Sequence, residues 1–149
     1  SLDLLARLKD AFPTQFAGIK DSSHDESFAT ALGQKFGKDL LVLNGTDSYF
    51  HHALKNHAQG AITAPANLIS EGLREVWDLY QEGKDPSEAQ ARVTEQRHIL
   101  EKYMPFPPIL KALLHKNHDF PKWTVKPPLE EISPELEEQA LKEFESLQV

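Results

Sequence analysis

Phe16-Ala17-Gly18-Ile19-Lys20-Asp21-Ser22-Ser23 is the stretch on which the fold turns. A short apolar run ends on a lysine and passes at once into small polar residues. Burying a lysine disfavours its ammonium form, which leaves a free amine able to attack a carbonyl. The other reading of Lys20 is that it only marks where the strand meets solvent, or pairs with Asp21. The choice between them depends on the strands that keep this one company.

Two further apolar segments follow. Asp39-Leu40-Leu41-Val42-Leu43-Asn44-Gly45 is a continuous run, the pattern of a parallel strand covered on both faces. Gly60-Ala61-Ile62-Thr63-Ala64 reads as a shorter third strand. Between the strands lie helical spacings: Leu2, Leu5, Leu8 and Phe12, ended by Pro13; then Phe28, Ala31, Leu32 and Phe36, stopped by Gly37. Asp47 and Ser48 can cap a helix running to about residue 56. A longer helix is predicted over 68–80, with Leu73, Val76, Trp77 and Tyr80 inward. Strands that alternate with helices predict βαβ units and an α/β fold with a parallel sheet. Each strand ends in small or polar residues, and the carboxyl ends of parallel strands are where such folds place their sites.

Beyond residue 83 the pattern is all helical. Asp85-Pro86-Ser87-Glu88 is a helix start with a cap, a first-turn Pro and a capping-box Glu. That helix is predicted to reach residue 102, where Met104-Pro105-Phe106-Pro107-Pro108 breaks it. A helix over 109–115 and a last one opened by Ser133-Pro134-Glu135 complete the chain. The division is therefore 1–83, three βα units, and 84–149, a helical extension.

With 149 residues the chain can bury one respectable core, and its net charge of −7 argues against nucleic acid or an anionic membrane as the main partner. It has no cysteine, so neither a disulfide framework nor a thiolate metal site is possible. That composition fits a cytoplasmic setting. No apolar run has the length of a membrane span, and no basic-then-apolar leader opens the chain. Asn44-Gly45-Thr46 matches a glycosylation sequon, here treated as accidental. The chain starts directly in helical sequence without an initiator Met, as expected of a fragment or of a processed chain.

Taken together, the strand ends resemble one family. Gly18-Ile19-Lys20-Asp21-Ser22-Ser23, Leu43-Asn44-Gly45-Thr46-Asp47, Gly60-Ala61-Ile62-Thr63-Ala64-Pro65-Ala66-Asn67 and Val125-Lys126-Pro127-Pro128-Leu129 are similar, in order and spacing, to segments of the dihydrodipicolinate synthase/N-acetylneuraminate lyase family. The resemblance implies strands six to eight of a (β/α)8 TIM barrel, with the N-terminal half of the barrel absent from this chain. It puts Lys20 in the place of the Schiff-base nucleophile. Gly45, Thr46, Asp47, Ser48, Ile62 and Thr63 fall at substrate-binding positions, with the Ile62 carbonyl near the lysine amine. It implies pyruvate or another 2-keto acid with an aldehyde as substrates, and no cofactor. Ser48 stands where the lyase branch usually has Glu, which argues against sialic-acid cleavage.

The family's carboxylate cradle and proton-relay tyrosine belong to strands outside this chain. Tyr49, Tyr80 and Tyr103 lie in helical contexts and are not assigned that role. An alternative is therefore a non-catalytic structural half, and the open flanks of its sheet predict a homo-oligomer. His51, His52 and His57 invite a metal reading. Adjacent helical histidines diverge by about 100°, and none stands four residues from another, so no metal site is expected. Asp47 also reads as a plain helix cap, and Glu130, Glu131 and the glutamates of 135–145 as a solvated acidic face.

Overall fold

Ser1 opens the first helix of the computed structural model, which describes residues 1–147 and divides into two units, Ser1–Ile62 and the chain from Thr63 onward. In the first unit, the Ser1 hydroxyl accepts the Leu4 N–H and starts α1 (Leu2–Ala11). Leu5 is buried, and Leu2 and Ala6 pack beside it. Phe12, expected on the same inward face, is exposed, because the helix ends at Ala11 and Phe12 follows it with non-helical dihedrals.

The strands β1 (Gly18–Asp21) and β2 (Leu41–Asn44) pair in parallel, with Gly18 opposite Leu41 and Lys20 opposite Leu43. Between them runs α2 (Glu26–Phe36), whose first N–H groups at Ser27 and Phe28 donate to the Asp25 carboxylate. After β2 comes α3 (Phe50–Lys55). Leu32, Phe36, Leu40, Val42, Tyr49 and Ala53 form the core of this unit. The helix stop expected at Gly37 is present, although Gly37 keeps right-handed helical dihedrals. The N-cap position of α3 is Tyr49, one residue past the expected Asp47-Ser48 start.

Two expectations about the sheet are corrected. The third strand is not a strand but a single parallel bridge, Asn44 to Ala61. Its ladder is nevertheless regular: Gln59 N–H donates to the Val42 carbonyl, Asn44 N–H to that of Gly60, and Ile62 N–H to that of Asn44, each at 2.9 Å. Just beyond the ladder, the Thr63 hydroxyl accepts the Ala66 N–H at 3.2 Å. The second correction is that β2 is covered on one face only. Val42 and Asn44 are buried, whereas Leu41 on the other face is 47% exposed.

The second unit holds α4 (Ala66–Gln81), α5 (Ser87–Glu101), α6 (Phe106–His118) and α7 (Pro134–Glu145). Val76, Val93, Leu100, Ile109, Leu113 and Phe144 are its solvent-free centre. Leu73 and Val76 face inward as predicted, while Trp77 and Tyr80 are half-buried. The sequence division at 83/84 marks where the βα pattern ends. The packing boundary lies earlier because α4 packs on α5 and α6. Asp85 accepts the Ser87 N–H at 3.0 Å, so its start signal works one residue early. The helix α6 begins at Phe106, three residues before its predicted start, since Pro107 and Pro108 fall in the first turn where their missing N–H groups cost nothing. Ser133 caps α7 as expected, but Glu137, read as solvated, is buried beside Lys116 at 3.7 Å.

Glu143 ties α7 to the end of α5. Lys102 donates to it at 2.8 Å and Gln139 at 3.1 Å, and these bonds, Lys102 first, hold its carboxyl down to about 2. The neighbouring Tyr103 hydroxyl is buried with no acceptor in hydrogen-bond geometry. Desolvation first, then closeness to Glu143, pushes it up to about 12. A carboxyl depressed in the folded state adds stability above its unfolded value and loses it as pH falls through the folded one. The stability difference between wild type and Glu143→Gln is therefore expected to be constant at neutral pH and to shrink from about pH 4.3 toward pH 2. Denaturation series at stepped pH check this; a difference that stays flat to pH 2 contradicts it.

Candidate active site

The pairing register sorts the sheet residues onto two faces. Cross-strand partners share a face and successive residues alternate. Ile19, Asp21, Val42 and Asn44 lie on the helix-covered face, where Asp21 is 6% exposed and Asn44 is buried. Lys20, Leu41, Leu43 and Ile62 lie on the open face, where Lys20 is exposed, Leu43 half-buried and Ile62 52% exposed. Lys20 and Ile62 thus flank the carboxyl end of β2 from either side. Asp21 points away from the lysine, as alternation requires.

Ile19 and Val42 are on the opposite face, and Phe16 packs into the core of the first unit. Leu41, Leu43 and Ile62 share the lysine's side. In this chain the Lys20 side chain is exposed.

The loop after β2 is tightly built. Asn44 Nδ2 donates to the Thr46 carbonyl, Thr46 is buried, and Asp47 is fully buried. Neither side chain is reachable by a small molecule as it stands, while Gly45 and Ser48 are half-buried. Gly45 has a reason that sequence reading missed. A Cβ there would overlap the Asp21 carbonyl and the Ser22 hydroxyl, so glycine is what lets the ends of β1 and β2 close on each other. Asp21 supports the same turn: its Oδ1 accepts the Ser23 N–H at 2.9 Å. Thr63, in the second unit, accepts through its hydroxyl the N–H of Ala66, the first residue of α4.

His52 Nε2 lies 2.8 Å from Thr30 Oγ1 and joins α3 to α2, and His57 adopts a left-handed backbone. Among the described residues no group of three or more His, Asp or Glu is placed to hold a metal, and no helix is long and apolar enough to cross a membrane.

Lys20 at the end of β1, Gly45 just after β2 and Ile62 beyond the bridge to Ala61 thus stand at the carboxyl edge of a parallel α/β sheet. The chain belongs to the dihydrodipicolinate synthetase family, whose profile matches residues 1–146. An uncharacterized DapA-like lyase of Chloroflexus aurantiacus is 35% identical over 122 residues, 82% of this chain and 40% of that protein. Dihydrodipicolinate synthase from Agrobacterium tumefaciens matches at a TM-score of 0.82 and 33% identity, over 99% of this chain and 48% of its own. A prophage protein of the dihydrodipicolinic acid synthase family from E. coli, solved in complex with pyruvate, shares the fold at a TM-score of 0.87 and 17% identity, over 98% of this chain and 50% of that one. The chain thus spans about half the length of these solved TIM-barrel proteins.

Proposed function

We propose that this chain is the lysine-bearing half of a pyruvate-dependent class I aldolase or lyase, contributing strands six to eight of the barrel, with Lys20 as nucleophile. The observation that carries the reading is the shared open face of Lys20, Leu43 and Ile62 at the carboxyl end of the sheet, beside Gly45. Family membership and the pyruvate complex of a fold neighbour support it. The neutral Lys20 amine adds to the keto carbon of a 2-keto acid and water leaves, giving an imine whose protonated form withdraws electrons. A proton then leaves the adjacent carbon, and the resulting enamine attacks an aldehyde; the reverse order cleaves the aldol. Ser48 and the Gly45 backbone are the first candidates to meet the aldehyde portion. Thr46, Asp47 and Thr63 hold the loops that present them, and Ile62 walls the lysine. The reaction needs no cofactor, and the setting proposed is a cytoplasmic homo-oligomer.

Closing the barrel is what supplies the missing desolvation, since the open face becomes the interior. Exchange of pyruvate methyl protons with heavy water, followed by proton NMR on the barrel completed with its remaining strands, tests the enamine step without knowing the aldehyde. Exchange that requires Lys20 is expected; exchange undiminished in Lys20→Ala contradicts the proposal. Comparing aspartate semialdehyde with sugar-derived aldehydes then defines the second substrate. A second reading, a non-catalytic assembly half, draws on the exposure of Leu41 and Ile62. Under it the completed barrel shows neither exchange nor aldol chemistry.

A further inference from the structure

The second unit has a hollow of about 410 Å³ between the end of α5, the first turn of α6 and α7. A compact organic molecule fits a space of that size. Met104, Pro105, Pro108, Ile132 and Leu136 give it an apolar wall, yet Met104 is 59% exposed and Leu136 47%. Large apolar side chains left uncovered around a concave surface mark a place for an apolar partner. The Met104 thioether favours an aromatic ring there over an alkyl chain.

The polar groups of the hollow fall into two sets. In the first, Lys102 and Gln139 both donate to Glu143, so the one ammonium of the wall is already matched to a carboxylate. Tyr103, pushed up to about 12, chiefly by burial, stays a neutral phenol beside them. That set carries no net charge. Glu130 and Glu131 form the second set, exposed carboxylates with no cation in ion-pair reach among the described residues. Glu131 also borders the neighbouring crevice with Lys111 and Lys122, which Glu130 does not line.

These charges select the ligand. An anion meets two unmatched carboxylates in a chain of net charge −7 and is repelled. A neutral apolar molecule uses the wall and leaves the carboxylates idle. A cation with a flat apolar body uses both. We propose that this hollow binds a small arylalkylammonium ion, its ring on Met104, Pro105 and Leu136 and its ammonium at Glu130 and Glu131. The site lies wholly within the second unit and excludes ligands that carry a carboxylate, 2-keto acids among them. It stands independently of the chemistry proposed for Lys20.

Met104 is the one methionine of the sequence, so its ε-methyl is a single reporter in the wall. The chain with isotope-labelled methionine methyl groups is titrated with phenethylammonium and followed by NMR, the signal being assigned by its loss in Met104→Leu. A saturable shift with a dissociation constant of about 1 mM or below is expected. Hydrocinnamate has a phenyl ring and the opposite charge, and ethylammonium has the charge and no ring. Each is expected to bind about tenfold more weakly or worse. Glu130→Gln with Glu131→Gln should weaken phenethylammonium by about tenfold, most of it from Glu130. Both residues are exposed, so the variant should fold, which circular dichroism checks. Glu71→Gln with Glu95→Gln removes as much charge from exposed positions elsewhere in this unit and should leave binding unchanged. No saturable shift in wild type, equal binding of hydrocinnamate or ethylammonium, or affinity unaltered by the Glu130 and Glu131 changes overturns the inference. So does an equal loss in the Glu71 and Glu95 variant.

Discussion

Lys20→Arg is expected to lower aldol cleavage and condensation by about 10,000-fold or more in the completed barrel, the scale seen when a covalent nucleophile is removed. Guanidinium keeps the charge and much of the bulk, yet stays protonated and cannot add to a carbonyl. Lys20→Ala should be as inactive. The two variants therefore separate nucleophilicity from charge. In the isolated chain neither should change stability by more than about 0.5 kcal/mol, because Lys20 is exposed there and makes no buried contact. Substantial activity in Lys20→Arg makes Lys20 an ordinary strand-end lysine.

Gly33→Ala is the largest stability change expected of a single methyl in the first unit. In an exposed helix interior, alanine in place of glycine gains about 1 kcal/mol. Gly33 is buried, however, and its α-carbon faces the loop after α3. An added Cβ would fall within bonding distance of the Asn56 carbonyl oxygen, a backbone atom that cannot rotate away. The clash decides the sign. Moving α2 off the 52–56 segment also disturbs the His52 contact to Thr30 and the packing of Leu32 and Ala53. A net loss of about 3 kcal/mol is expected, read as a lowered midpoint in urea with little change in slope. A neutral or stabilising Gly33→Ala would mean that α2 and α3 pack differently.

How much of this was legible in the sequence depends on what each signal reports. Apolar spacing and stop residues located α1, α2, α4, α5 and α7, because helix periodicity is local and Ser133, Pro13 and Gly37 act on the chain next to them. The same signals missed Gly33 and Gly45, whose partners, Asn56 and Asp21, are distant in sequence and approach through backbone atoms. Leu40-Leu41-Val42-Leu43 was read as a strand covered twice, and in this chain it is covered once. The composition of that run is suited to the environment of a closed barrel, not to the half present here. Thr63 was read by resemblance as a substrate position, and the pattern did not foretell that its hydroxyl also accepts the first N–H of α4. At the site, Lys20 and Asp21 stand on opposite faces, which needs only the strand period. The depth of the lysine was not legible, because depth is set by what lies over the sheet.

The central claim is that Lys20 forms an imine with a 2-keto acid. The direct measurement is to incubate the completed barrel with pyruvate, reduce with borohydride, and locate the adduct by peptide mass spectrometry. The account predicts a reduced pyruvyl group on Lys20 in wild type and none in Lys20→Arg. No adduct on a folded, complete barrel, or an adduct on a different lysine, contradicts it.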